Sequence, residues 1–211
     1  INKEEIFKAL KLLAPRFSQV ILVGYPPFVK DILDEAPLRG INLKKLNLRL
    51  LFAAESFTEK FRDYVIKKGF VKDAQRDTMN IYGSADIGAM AFESPLAILI
   101  RRLAVKRKDL FEDIFSPISK TPTLAQYIPS FITFEAVNGE ILLTGDSSMP
   151  LIRYAIGDHG GVFSFNEIIE TFRARGVDLE REIKKAGLEN FVYQLPFVYV
   201  YERTDMSTTL Y

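Results

Sequence analysis

The sequence predicts an α/β fold: a mostly parallel sheet flanked by helices, followed by a smaller antiparallel β meander or barrel-like subdomain. Three observations carry this. Short apolar runs alternate with helix-periodic segments between residues 20 and 84, and strand-helix-strand repetition argues for parallel pairing with helices on the sheet. Asn138-Gly139 stands between "FITFEAV" and "EILLTGD", and Asn-Gly between strand runs marks a hairpin because both turn positions need positive φ. From there strand-like runs follow one another without an intervening helix, the sign of an antiparallel series. The change of pattern places a boundary near residue 125. It gives an α/β subdomain over 1–125, an antiparallel β region with helices over 126–205, and a terminal stretch over 203–211.

The elements follow in order. "NKEEIFKALKLL" is a helix with Asn2 as N-cap, Glu5 three residues on, and Ile6, Leu10 and Leu13 on one face. "QVILVGY" is a continuous apolar run, as in a strand covered on both faces. "PPFVKDILDEA" is a helix opened by proline. "LRLLFAA" is a second strand, and "TEKFRDYVIKKG" a helix capped by Thr58 and stopped by Gly69. "TMNIYGS" is a third strand. "SPLAILIRRLAVKRKDLFEDIF" reads as one long helix with Leu96, Leu99, Leu103 and Leu110 as its buried stripe. Beyond the hairpin, "PLIRYAI" and "GGVFSF" are two further strands, "NEIIETF" and "DLEREIKKAG" are helices, and "FVYVYERTD" is a final strand leading into a turn.

Composition excludes several classes. With 28 basic and 27 acidic residues the net charge is +1, so the chain has no global attraction to nucleic acid or to an anionic membrane. There is no cysteine and one histidine, His159, which excludes a disulfide framework and a thiolate metal site. No segment has the long uncharged apolar run of a membrane span, and the acidic start "INKEEIFKAL" is not a signal peptide. A cytoplasmic location is the expectation.

Four stretches carry candidate chemistry. "NIYGSADIG" puts Tyr82, Gly83, Ala85 and Asp86 near the carboxyl end of a strand, where ligands of open α/β sheets bind. Tyr82 offers a flat face, Gly83 permits close backbone approach, and Asp86 supplies a hard oxygen for magnesium. The plain alternative is a strand-turn-helix with Asp86 complementing the helix dipole. In "LFAAESF", Ala53 and Ala54 leave room for a planar group and Glu55 adds a polar edge, or the stretch is simply a helix entry capped by Ser56 or Thr58. In "MPLIRYAIGDHGG", Asp158 follows glycine at a strand end. A carboxylate has two acceptor oxygens and receives both hydroxyls of a ribose diol, with the glycines clearing space. Arg153 falls on the opposite face of a regular strand and braces the sheet, and His159 reads as a polar turn residue. In "YERTDMS", Arg203 is a donor to ribose or phosphate oxygens and Asp205 lies in a turn, or the two form a surface salt bridge. The basic run Arg101, Arg102, Lys106, Arg107, Lys108 reads as a solvated helix face, with a phosphate or acidic partner as the sharper alternative.

The order "LVGYPPFVKDIL", "FAAES", "NIYGSADIG", "LIRYAIGD", "ERTD" resembles the adenylate-forming acyl-CoA ligase superfamily, and within it the phenylacetate–CoA ligase branch, from about residue 20 to the end. The resemblance implies an acid–thiol ligase. Such enzymes join a carboxylic acid to AMP with release of pyrophosphate, then pass the acyl group to coenzyme A. It implies ATP or AMP, Mg2+ and coenzyme A as cofactors, and a small carboxylic acid, of aromatic type in this branch, as partner. Tyr82 would stack on adenine. Asp86 would take the place of the metal-binding glutamate and act as the catalytic acidic residue. Ala53, Ala54 and Glu55 would line the adenine or acyl pocket, Asp158 and Arg203 would hold the ribose, and Asp205 would be the hinge to a C-terminal domain. The sequence departs from the family at Ala85, where a hydroxyl residue is usual, and at Asp86, one methylene shorter than glutamate. With no phosphate loop ahead of residue 20 and no further domain after residue 211, the expectation is a piece of a longer enzyme, inactive by itself. The alternatives are a non-catalytic relative that binds a nucleotide or acyl group, and an interaction domain docking an acidic partner through Arg101, Arg102 and Arg107.

Overall fold

Asn2 caps α1 (Lys3–Leu12) by accepting from the Glu4 backbone N–H, one of the orphan donors every helix start must satisfy. The structure, a computed structural model, describes residues 2–116, 121–146 and 149–203, with Glu202 and Arg203 described by backbone only. Two units divide the chain, Ile1–Asn80 and Ile81–Tyr211, and β3 (Thr78–Ser84) runs across the division.

In the first unit β1 (Val20–Gly24) and β2 (Leu48–Ala53) pair in parallel, with Leu22 opposite Leu50 and no break in register. Parallel strands need a crossover, and α2 (Pro26–Glu35) provides it with proline at its first turn. α3 (Glu59–Gly69) starts on the Thr58 hydroxyl, which accepts from the Phe61 N–H, and ends on Phe70 in left-handed backbone. Val29, Ile32, Leu33, Leu50, Phe52 and Val65 form the centre of this core. Each such side chain contributes about 1.5–3 kcal/mol by leaving water. An ion pair is buried with them. The Arg62 guanidinium donates to Glu59 and, at 2.6 Å, to the Thr78 hydroxyl, and lies over the Phe57 ring, tying α3 to β3.

In the second unit the strand order is β3-β4-β5-β9-β8-β7-β6. The strands are β4 (Gly88–Phe92), β5 (Thr123–Gln126), β6 (Ile132–Val137), β7 (Glu140–Gly145), β8 (Leu151–Phe163) and β9 (Phe197–Arg203). The pairings from β3 to β4 onward are antiparallel. The class is therefore mixed α/β, an open sheet flanked by helices, with β1–β2 supplying parallel pairing. The β6–β7 turn is the predicted Asn138-Gly139 hairpin, with φ of 53° and 83°.

β1 is covered on one face only, Ile21 and Val23 being exposed on the other, so it is not the doubly covered strand expected. Three further elements depart from expectation. "NIYGSADIG" is an antiparallel hairpin of β3 and β4 rather than a strand-turn-helix, so Asp86 faces no helix dipole. "PLIRYAI" and "GGVFSF" are one continuous strand, β8, and Asp158 lies within it. The long basic helix is two, α4 (Pro95–Val105) and α5 (Lys108–Phe115), parted at Lys106 and Arg107. Leu96, Leu99 and Leu110 are buried as expected. α6 (Phe165–Ala174) and α7 (Leu179–Lys185) complete this layer, α6 starting on a capping box of Ser164 and Glu167. Two apolar clusters serve the unit: Leu96, Ile100, Phe115, Phe172 and Phe197 among the helices, and Ala125, Phe134, Ile141, Leu143 and Val198 among the strands.

The basic run is not one solvated face. Arg101 is 0 % exposed and paired at 2.6 Å with Glu93, also 0 % exposed. Arg107 bonds Asp109, and Lys108 reaches Glu112. Arg101 is thus withdrawn from solvent, while Arg107 and Lys108 stay at the surface in ion pairs.

Candidate functional site

β3 and β8 bring Tyr82 and Asp158 together although 76 residues separate them. The Tyr82 hydroxyl donates to Asp158 Oδ2 at 2.5 Å. The Tyr82 ring rests against Phe134 of β6, centroids 5.9 Å apart. Asp158 is 3 % exposed. A buried carboxylate is costly unless hydrogen-bonded, and the phenol hydroxyl is one group that meets this need. The sequence assigned both residues to one nucleotide, one to the base and one to the sugar. The structure makes them neighbours and hydrogen-bond partners.

The glycines around them have a structural cause. A Cβ at Gly83 would collide with the Gly88 carbonyl oxygen of β4. At Gly160 it would collide with the Tyr199 carbonyl oxygen of β9, and at Gly161 it would stand 2.5 Å from the Tyr199 ring. Gly160 and Gly161 are thus required by the approach of β9 to β8, whatever Asp158 holds. His159 is likewise a strand residue rather than a turn residue, paired opposite Glu140 and Glu202, with Nδ1 3.3 Å from the Gly139 carbonyl. Arg153 braces the sheet as expected, by an ion pair to Glu135 of β6. It does so from left-handed backbone, φ 48°, where the β7–β8 register shifts.

Ala85 and Asp86 form the exposed β3–β4 turn with Ile87. The Asp86 carboxylate is 3.5 Å from the Tyr154 hydroxyl of β8. The Ser84 hydroxyl is turned to the Ile87 backbone N–H, 3.4 Å away, so it does not stand in for the hydroxyl absent at Ala85. Among the described residues no three acidic or histidine side chains gather as a metal site. Asp86 fits a magnesium ion as a single carboxylate, which suffices only where nucleotide phosphates and water supply the other oxygens. Arg203 enters β9 opposite Asp158 in the backbone register, and its side chain lies outside the described residues. Asp205 also lies outside them.

Ala53, Ala54 and Glu55 belong to the first unit. Ala53 ends β2, and Ala54 adopts left-handed backbone, φ 75°, which turns the chain at the strand end. The Glu55 carbonyl accepts from the buried Asn80 amide at 3.1 Å. The Glu55 carboxylate faces Tyr25, which follows β1, and its negative charge raises the phenol pKa above the ordinary tyrosine value. Sequence reasoning missed Tyr25, Asn80, Phe134 and Tyr154. Tyr154 had a signal: it stands four residues before Asp158, an even spacing along a strand. Phe134 had none, because its contact with Tyr82 exists only through the folded sheet.

The fold and these positions define a class first: a mixed α/β sheet flanked by helices, with a tyrosine–carboxylate pair between β3 and β8 and Asp86 at the β3–β4 turn. Among solved structures, the chain is similar in fold to a 2-hydroxyisobutyryl-CoA ligase in an open conformation with 2-HIB-AMP and CoA. The TM-score is 0.53 at 12 % identity, over 76 % of this chain and 34 % of that one. An amide bond synthetase, McbA from Marinactinospora thermotolerans, aligns at a TM-score of 0.44 and 12 % identity, over 76 % of this chain and 32 % of its own. The chain thus spans about a third of the length of these proteins. No family model and no curated protein matches it.

Proposed function

We propose that this chain is the nucleotide-holding part of an adenylate-forming acid–thiol ligase of the phenylacetate–CoA ligase type. The observation that carries the reading is the Tyr82–Asp158 pair. A ribose diol replaces the phenol hydroxyl on the Asp158 carboxylate, and the freed ring turns its face to adenine. One hydrogen bond to the carboxylate is exchanged for up to two, which offsets the loss of the internal one. Asp86, at the turn of the hairpin that carries Tyr82, would hold Mg2+ through nucleotide phosphates. The cation would neutralise charge developing on the phosphoryl oxygens. The acid activated is of aromatic type, and the acceptor is coenzyme A. Support comes from the fold shared with a CoA ligase and from the order of motifs along the chain.

The second reading, a relative that binds a nucleotide or acyl group without catalysis, is favoured by one observation. Ala85 lacks a hydroxyl, and the Ser84 hydroxyl is committed to the turn.

Titration with AMP and with ATP–Mg2+, followed by melting temperature, tests both. A ligand bound only by the folded state stabilises by RT ln(1 + [L]/Kd), about 2.7 kcal/mol at a hundredfold excess over Kd. AMP is expected to raise the melting temperature, and Asp158→Ala to abolish the rise. A rise of equal size in Asp158→Ala would remove the ribose assignment. Restoring a hydroxyl by Ala85→Thr separates the readings: pyrophosphate release by the whole protein increases under the first and stays absent under the second.

A further inference from the structure

The β3–β4 hairpin is fastened to β8 by two phenol–carboxylate contacts that run in opposite directions. Tyr82 of the hairpin donates to Asp158 of β8 at 2.5 Å, and Tyr154 of β8 donates to Asp86 of the hairpin turn at 3.5 Å. Apolar contact seats the tip as well, since Tyr82 and Ile87 pack against the strand cluster of Phe134, Ile141 and Leu143. Glycine stands on either side of the tip. The β3–β4 register shifts between Tyr82 and Gly83, and Gly88 has φ 89°. These are the positions at which the tip can turn on its stem.

Asp158 and Asp86 are the two carboxylates assigned above to ribose and to magnesium, and each accepts from a phenol. A lone pair held by an internal donor must be released before a ligand takes it, at the cost of that bond. We propose that the two phenols are an internal lock on the nucleotide site, holding its affinity below what the carboxylates and the Tyr82 ring would give by themselves. The lock presupposes the nucleotide site proposed above and adds the groups that regulate it. The Tyr82 hydroxyl competes with the ribose, while its ring stays available for adenine. The Tyr154 hydroxyl competes at Asp86 and bears on ATP–Mg2+ rather than on AMP. The Tyr82 bond is short and made to a carboxylate 3 % exposed, whereas the Tyr154 contact is long and exposed. The first lock is therefore the stronger.

Calorimetric titration of the 211-residue chain with AMP and with ATP–Mg2+ is the test, beside melting temperature without ligand. Tyr82→Phe keeps the ring and removes the competing hydroxyl. It is expected to melt lower than the parent chain and yet bind AMP about tenfold tighter, the factor that one hydrogen bond to a charged group represents. Tyr82→Ala, which loses the ring too, is expected to bind AMP more weakly. Tyr154→Phe is expected to tighten ATP–Mg2+ about threefold and leave AMP unchanged. Tyr154 is 38 % exposed, so its variant does not endanger the fold, and circular dichroism checks each of the others. A hydroxyl that only props the site gives the opposite sign, with stability and AMP affinity falling together in Tyr82→Phe. AMP bound through Asp158 by the parent chain but no tighter by Tyr82→Phe overturns the lock and leaves the nucleotide site standing. AMP bound measurably by Tyr82→Phe and not by the parent is the lock at full strength. AMP bound by neither overturns lock and site together, and ATP–Mg2+ binding indifferent to Tyr154→Phe removes Tyr154 from the lock.

Discussion

Among the described residues each unit buries one arginine, and the two do it differently. In the first, Arg62 reaches Glu59 three residues back on its own helix and adds Thr78 of β3. In the second, Arg101 of α4 reaches Glu93, eight residues back and before the helix begins. Ser94, next to Glu93, caps α4 and donates to Gln126, whose amide reaches the Tyr193 and Leu195 carbonyls. The first arrangement closes on a local pair and one strand. The second is a network linking β4, α4, β5 and the segment before β9. Buried ion pairs contribute little net stability against an apolar pair of the same volume, yet breaking one leaves an uncompensated charge. The difference between the units is therefore in how far the damage from one lost partner spreads.

The largest expected effect lies where β8 meets β9. Gly160→Ala drives a methyl group into the Tyr199 carbonyl. A cost on the order of 4 kcal/mol is expected, with hydrogen exchange rising in β8 and β9 and not in α3. Unchanged protection there would refute the close approach as the reason for glycine. Next is Arg101→Ala, which removes the 2.6 Å partner of the buried Glu93 carboxylate, with a loss of about 3–5 kcal/mol. Exchange should rise in β4, α4 and β5 together. The double variant Glu93→Leu/Arg101→Met, read by chemical denaturation, should recover most of that loss. If it does not, the pair itself was stabilising the unit. Arg62→Met is expected to loosen α3 and the start of β3 alone, which sharpens the contrast. Ser164→Ala removes the α6 capping box for about 1 kcal/mol.

The smallest effect is acid sensitivity. A hydrogen bond from Lys3 lowers the Glu35 pKa in the first unit. Arg175 lowers that of Asp113, and the Ser164 backbone that of Glu167, in the second. Folded values below the ordinary 4.5 and 3.8 mean that these groups stabilise the fold above those values. The contribution is lost as pH falls through the folded ones. Melting temperature should drop gently below about pH 4.5 and be flat between pH 6 and 8. Glu167→Gln should blunt the drop more than Glu35→Gln does, because its partner is a backbone donor that does not move away.

What was legible in the sequence was local. Asn2, Thr58 and Asn138-Gly139 act within a few residues, and each made the cap or turn it promised. The leucine stripe found the buried Leu96 and Leu99 of α4 and Leu110 of α5, and missed Ile98 and Ile100. What was illegible depended on strands far apart in the chain. Gly157-Asp158-His159-Gly160-Gly161 has the composition of a turn, and only the arrival of Tyr199 explains why a strand keeps two glycines there. Arg101 looked solvated because Glu93 sits outside its helix. Tyr82 and Asp158 were each singled out, but on separate motifs, and nothing local told of their hydrogen bond.

The order of strands also sets an order in time. β9 lies between β5 and β8, pairing Leu124 with Tyr199 on one side and Val162 with Val198 on the other. Among the described strands it is the last to be synthesised. Domains generally fold as units while the chain emerges from the ribosome. Here β5 waits through more than seventy residues of further synthesis for the neighbour that joins it to the meander. Until residue 203 clears the exit tunnel, the edges of β5 and β8 are open, and a nascent chain stalled before that point presents both to any holdase.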